Sequence, residues 1–336
     1  MNIVADPRTA PSIRWGILGA GGIASSFATA VLASTRAQVV AVGSRNRYRA
    51  EHFATRHGIP TTHEGYERLV ADEQVDAIYV ASPHSEHLEH ALLAIRAGKH
   101  VLVEKAFTRN LAEAEQLVAA AREAGVFMME AMWTRFLPHV AALRGAIARG
   151  EIGEVVNITA DHGQNFLHLP DSHRIHNPEL AGGALLDLGV YPVSFAHDLL
   201  GVPTAIQATG VLTGTGVDGH VGMTLDYPGR AIATLSTTSW AQTPTTAAIT
   251  GTEGRIDIAT SFYRPTSFTL TRLDGTEWTY RGPEMSNGLE YEAAEVARCI
   301  VEGRLESERM TLDDTLEVMA SLDEIRRQIG VVYPGE

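Results

Sequence analysis

Ile13-Arg14-Trp15-Gly16-Ile17-Leu18-Gly19-Ala20-Gly21-Gly22-Ile23-Ala24 is the stretch that decides the fold. It reads as an apolar strand running into a glycine turn and then into a helix. Gly19, Gly21 and Ala24 fit the pattern G-x-G-x-x-G/A. Gly19 permits the tight turn, and Gly21 has no side chain to hold a pyrophosphate away from the helix N-terminus. Gly22 and Ile23 open the helix, and Ala24 lets helix and strand pack closely. Glycine turns also occur for structural reasons alone. Here a strand precedes the turn and a helix follows it, so dinucleotide binding is the expectation.

Working outward, the next segments keep the same rhythm. Short, almost wholly apolar strands are expected over 39–42, 76–81, 99–103 and 126–129, with helices over about 50–56, 86–97 and 110–124. Such strands suit a parallel sheet covered by helices on both faces. Alternation of strand and helix implies βαβ units. After about residue 150 the rhythm changes. Strands over 154–160, 204–213, 219–226, 230–239, 245–250, 255–259, 267–273 and 276–281 follow one another across turns such as Asp226-Tyr227-Pro228-Gly229 and Asp274-Gly275. Short turns between successive strands imply a mostly antiparallel sheet. Helices are expected over about 184–200, 289–302 and 312–329. The fold class is therefore α/β, with a dinucleotide-binding domain over 1–131 and an α+β domain over 132–336.

Composition removes several functions. A chain of 336 residues is long for one domain, which agrees with this division. The net charge of −13 argues against nucleic acid and against an anionic membrane surface, since both call for a basic face. Cys299 is the single cysteine, so no intrachain disulfide is expected. Residues 1–12 are polar and lack the apolar stretch of a secretory leader. No apolar run approaches the roughly 20 residues of a membrane span. The default expectation is a cytoplasmic protein.

Three further segments carry chemistry. At the end of the second strand an NAD site usually places an acid on the ribose hydroxyls. This chain has Gly43-Ser44-Arg45 there, and Ser44 and Arg45 suit a 2′-phosphate. NADP is the expected cofactor, with NAD possible. Ser82-Pro83-His84 ends the third apolar strand, and His87 and His90 follow at helical spacing. Three histidines at i, i+3 and i+6 drift around a helix, so no metal is expected. His87 reads either as a helix-start residue beside the cofactor or as a structural one.

Lys105 closes the strand Val101-Leu102-Val103 beside Glu104. In an open α/β sheet ligands bind beyond the C-terminal strand ends. Near a cofactor, the ammonium can hold a substrate hydroxyl and stabilise a developing alkoxide. The alternative is an edge lysine paired with Glu104. Gly182-Gly183-Ala184-Leu185-Leu186-Asp187-Leu188-Gly189-Val190-Tyr191 puts Asp187 and Tyr191 at i, i+4 on one helix face. Tyr191 suits a general acid-base and Asp187 a partner that orients Lys105. The alternative is a helix-dipole acid and a core tyrosine.

These segments, in this order, resemble the Gfo/Idh/MocA family. The matching pieces are the glycine turn, Ala81-Ser82-Pro83-His84 with His87, Ala97 through Lys105, and Gly182 through Tyr191. Glu130-Ala131-Met132-Trp133-Thr134-Arg135-Phe136-Leu137-Pro138 is similar to the branch that holds dimeric dihydrodiol dehydrogenases and NADP-dependent D-xylose 1-dehydrogenases. The resemblance implies a Rossmann domain followed by a large open sheet. It also implies Lys105 and Tyr191 as catalytic residues with Asp187 as their partner, and a homodimer or higher homo-oligomer formed through the open sheet face. Trp133, Arg135 and Phe136 would line the substrate side of the nicotinamide, or else pack at a domain junction. Arg174, and some of the histidines between His162 and His176, would meet substrate hydroxyls, the alternative for most of this segment being solvated loop residues. The family commonly reads Glu-Lys-Pro where this chain reads Glu104-Lys105-Ala106, a place where the pose of the lysine can differ.

The function so implied is hydride transfer between NADP and a sugar, cyclic polyol or dihydrodiol carbon. An NAD-dependent glycosidase and a non-catalytic NADP sensor are the rival readings. Ser44 and Arg45 argue against the first. The retained Lys105, Asp187 and Tyr191 argue against the second.

Overall fold

The first strand, β1 (Arg14–Leu18), is apolar on both faces and becomes the middle of a sheet. The structure is a computed structural model that describes residues 4–282 and 287–336. After β1 come α1 (Gly22–Ser34), β2 (Gln38–Ser44), α2 (Arg47–His57), β3 (Thr61–Glu64), α3 (Tyr66–Val70) and β4 (Ala77–Val80). Then α4 (His87–Arg96), β5 (His100–Val103), α5 (Leu111–Ala124) and β6 (Met128–Glu130) complete the sheet. All neighbouring strands are parallel, in the order β3-β2-β1-β4-β5-β6. The order reverses at β1, so a crevice opens between the C-terminal ends of β1 and β4.

Local chemistry sets where these helices begin and end. The Asn46 side chain accepts from Arg49 N at the start of α2, and Asn110 accepts from Glu113 N at the start of α5. Gly58 and Gly125 end the same two helices in the left-handed region. Under the sheet, Trp15 meets the edge of Phe27, and Phe27 stacks on Tyr79 at 3.9 Å. Burial of each such ring stabilises the unit by ~2–3 kcal/mol.

The second sheet is built from β7 (Val155–Gly163), β8 (Ala205–Leu212), β9 (Asp218–Asp226), β10 (Ile232–Thr238), β11 (Ala247–Gly251), β12 (Gly254–Ile258), β13 (Phe268–Arg272) and β14 (Glu277–Tyr280). Its order is β14-β13-β12-β11-β7-β10-β9-β8, antiparallel except for the parallel pair β7 and β10. The helices α6 (Pro138–Ala148) and α7 (Val190–Leu200) belong with it, and α7 packs on β7 and β10. A π turn over Leu185–Gly189 leads directly into α7. The last two helices are α8 (Leu289–Val301) and α9 (Leu312–Ile329). Among the described residues no helix is long and apolar enough to cross a membrane.

The chain divides into two compact units, and the division differs from the expected one. Residues 5–133 and 287–316 form the first unit; residues 4, 134–282 and 317–336 form the second. The expected boundary at 131/132 falls beside the break at 133/134, while residues 287–316 pack with the first unit. The physical cause is the apolar stripe of α8. Leu289, Ala293, Val296 and Ala297 are buried, and the helix packs on α1. Leu305 O then accepts from Met128 N beside β6. Periodicity shows that a helix covers something, not what it covers. The elements β3, α3 and α6 were also not expected. Thr61-Thr62-His63-Glu64 is a polar edge strand with no apolar run to mark it.

Candidate active site

In the first unit the glycine turn takes the form that its sequence demands. Gly19 has φ +102°, and its N–H donates to Gly43 O at 3.0 Å. A Cβ on Gly19 would stand 2.9 Å from Ala81 O, so both conformation and close approach exclude a side chain. Gly21 caps α1, and a Cβ there or on Gly22 would point into open space. The first N–H groups of α1 have no partner within the helix and open toward that space. A cavity of about 410 Å³ lies beside the turn, lined by Gly21, Gly22, Ser25, Tyr48, Arg49 and Phe53 among others. Ala24 is fully buried, which gives the close strand–helix packing. These features fit a dinucleotide pyrophosphate.

Ser44 is buried at the end of β2, and its Oγ accepts from Asn46 N at 3.2 Å. Arg45 is mostly exposed and pairs with Glu86 Oε1 at 2.7 Å. Glu86 comes from the turn before α4, so a carboxylate does stand beside Arg45. The residues 43–47 alone did not reveal it.

The segment 82–90 ties strand ends together. His90 Nδ1 lies 2.9 Å from Ser82 Oγ. His87 Nε2 lies 2.8 Å from Ser82 O, while Nδ1 lies 3.0 Å from Ala106 O and 3.2 Å from Phe107 O. Burial pulls both histidines down to about 4, against the carbonyls that favour a charged His87 ring. Only a ring N–H can donate, so the neutral ring bonds one strand end alone, and carbonyls facing both nitrogens favour the doubly protonated ring that burial opposes. Pro83 precedes a single 3-10 turn in which His84 is buried with its ring edge toward His87. Among the described residues no group of three or more His, Cys, Asp or Glu is arranged to hold a metal ion.

Glu104 is buried after β5. It accepts from the Tyr79 hydroxyl, and its Oε2 accepts from Lys105 N at 3.2 Å. Lys105 is half-buried, on the same C-terminal sheet edge as the glycine turn. Ala106 is fully buried, and the Lys105–Ala106 peptide is cis.

In the second unit Asp187 lies in the π turn and Tyr191 in α7, both buried. Arg174 donates to both Asp187 oxygens, at 2.9 and 3.1 Å. Arg174 thus meets the acid expected to orient Lys105. The Tyr191 ring lies 4.6 Å from Tyr263 and 5.3 Å from His162, and His162 stacks on Tyr263 at 4.3 Å. Tyr263 was not expected. It sits in the connection between β12 and β13, where no periodicity marks a side chain's direction.

Arg135 reaches α7 one turn beyond Tyr191. Its guanidinium is 4 % exposed, 3.3 Å from Ser194 Oγ and 4.0 Å from Asp198, which also binds Arg144 at 3.0 Å. Phe136 is buried in the same unit, and Trp133 is buried in the first.

Comparisons with known proteins agree along the chain. Residues 13–132 match the model of an oxidoreductase family with an NAD-binding Rossmann fold, and residues 140–257 match the GFO/IDH/MocA C-terminal domain. A trans-1,2-dihydrobenzene-1,2-diol dehydrogenase of Danio rerio is 39% identical over 332 residues, covering 96% of this chain and 98% of its own. An NADP(+) D-xylose 1-dehydrogenase of Hypocrea jecorina is 36% identical, covering 96% and 93%. The solved aldose-aldose oxidoreductase of Caulobacter crescentus superimposes with a TM-score of 0.84 at 25% identity, covering 95% and 97%. With both domain models matched and relatives spanning nearly its whole length, the chain belongs to the Gfo/Idh/MocA family of oxidoreductases.

Proposed function

We propose that this chain is an NADP-dependent dehydrogenase acting on a hydroxyl-bearing carbon of a sugar, cyclic polyol or dihydrodiol. The observation that carries the reading is the shared sheet edge of the first unit. The open glycine turn follows β1, and Lys105 follows β5 two strands away. Ser44 and Arg45 at the end of β2 favour a 2′-phosphate. Relatives named for D-xylose with NADP(+) and for a dihydrodiol support cofactor and substrate class.

When bound, the nicotinamide would supply the hydride acceptor for oxidation and the hydride donor for reduction. The backbone N–H groups opening α1 hold the pyrophosphate, and Gly21 leaves room for its approach. Ser82, Pro83, His84 and His87 shape the wall beside the nicotinamide half. Glu104, bonded to Lys105 N, fixes the backbone from which the lysine side chain leaves. The Lys105 ammonium holds the reacting hydroxyl and stabilises the developing alkoxide. Tyr191 takes the hydroxyl proton in oxidation and gives it back in reduction. Asp187, gripped by Arg174, orients this pair. The same reading carries a homodimer through the open face of the second sheet. Exposed Val211 and Ile232, whose β9 partners His220 and Asp226 share one face, support it, and light scattering checks it.

The test is NADPH formation across aldoses, inositols and cyclic diols, with NAD run in parallel. Turnover that is faster with NADP is expected. Lys105→Ala and Tyr191→Phe should each lower kcat by ~10²–10⁴-fold. Unchanged turnover in both variants overturns the assignment.

A further inference from the structure

We infer that Asp218 and Tyr333 form a clamp that positions the turn bearing Asp187 and leading into the helix of Tyr191. This rests on the catalytic reading above. It concerns two residues that no motif in the sequence singles out.

Asp218 opens β9 and is fully buried. Its Oδ2 accepts from the backbone N–H of Leu185 at 2.6 Å. Leu185 is the first residue of the π turn, with Asp187 two positions on and Tyr191 six. The clamp explains the paired glycines before the turn. Gly183 has φ +113°, and a Cβ there would stand 2.2 Å from Asp218 Oδ1. A Cβ on Gly182 would stand 2.5 Å from Arg174 O, on the residue that grips Asp187.

Tyr333 holds the other side. Its hydroxyl donates to Gly182 O at 2.6 Å, and the residue is 2 % exposed. The ring is in turn covered by Arg326, whose guanidinium lies 4.8 Å from the ring centre. Arg326 binds Glu336 at 2.9 Å and Asp323 at 3.1 Å, so the final residues are folded into the support of residues 182–185. All these groups lie within the second unit.

Arg326 and Tyr333 are the charged and titratable groups facing Asp218, with Asp323 and Glu336 behind them. Burial pushes the Asp218 carboxyl up to about 6, while the N–H groups of Leu185 and Ala184 and the Arg326 charge act in the opposite sense. The carboxylate that accepts from Leu185 is therefore lost as pH falls through about 6.

The test uses the full chain with Asp218→Asn and, as the milder change, Tyr333→Phe. Amide hydrogen exchange over 185–191 is expected to rise ~10-fold or more in Asp218→Asn and less in Tyr333→Phe. On a sugar or diol that the unmodified chain oxidises, kcat should fall ~10-fold in Asp218→Asn with KM for NADP unchanged. The parent chain should show an acidic limb near pH 6 in its pH–kcat profile, and Asp218→Asn should lack it. Unchanged exchange in both variants overturns the clamp whatever the activity. Raised exchange with unchanged kcat overturns its role in positioning. Raised exchange in a chain that turns over no substrate leaves the clamp standing and removes the dehydrogenase reading instead. If Asp218→Asn does not fold, Tyr333→Phe decides by the same readouts.

Discussion

Arg45 is the side chain proposed to set the cofactor preference, and Glu86 stands beside it. Its guanidinium stands where an NAD site carries an acid, and it is held by Glu86 at 2.7 Å. A charge-assisted bond to a 2′-phosphate is worth ~1.5–3 kcal/mol, roughly 10–100-fold in affinity. The exposed pair with Glu86 is worth at most ~1 kcal/mol, so a bound 2′-phosphate would take the guanidinium from it. Arg45→Ala should therefore weaken NADP binding ~10–100-fold and leave NAD nearly unchanged. Glu86→Gln should tighten NADP by no more than ~5-fold. Calorimetric titration of each variant with both nucleotides checks this, and equal losses for NAD and NADP would remove Arg45 from phosphate recognition. The roles of Ser44, Arg45, Lys105, Asp187 and Tyr191 belong to the proposal above, but their places at strand ends or in motifs were legible in the sequence. Glu86 and Tyr263 were not, because each meets its partners only through tertiary folding.

Among the elements, the β1–α1 junction was the most legible, and it separates two roles of glycine. Gly19 has φ +102° and faces Ala81 O, whereas Gly21 has an extended backbone and open space beside it. Gly19→Ala should cost ~1–3 kcal/mol of folding stability through strain alone. Gly21→Ala should cost less than ~1 kcal/mol, yet weaken dinucleotide binding because its methyl occupies the approach of the pyrophosphate. Urea denaturation paired with nucleotide titration distinguishes them. Loss of stability in Gly21→Ala as large as in Gly19→Ala would show that both glycines are structural. The π turn before α7 was read as plain helix, because Asp187 and Tyr191 at i, i+4 look alike in either winding. The difference lies in backbone supports such as Asp218, which helical periodicity does not register.

Across the whole molecule, the return of residues 287–316 to the first unit places acids where local pattern gives no warning. Glu292 of α8 is fully buried, and neither of its carboxyl oxygens has a hydrogen-bond partner among the described residues. Burial, and then the neighbouring charges of Glu104, Glu290 and Glu130, push it well above the ordinary glutamate range. Folding therefore keeps a proton on Glu292 that the unfolded chain releases above about 4.5. Where the folded state binds more protons, unfolding free energy falls as pH rises, by ~1.4 kcal/mol per pH unit for one proton. The stability due to the neutral acid is thus complete below 4.5 and is lost as pH climbs through the raised value. Glu292→Gln keeps the shape, stays neutral at every pH and can donate to the adjacent carboxylates. It should match the parent chain near pH 4.5 and exceed it by a margin that widens toward pH 8. Urea denaturation of both proteins at several pH values measures that margin. A margin that stays constant with pH would mean that Glu292 folds with its charge intact and that the acids around it, Glu104 beside Lys105 included, titrate independently of α8.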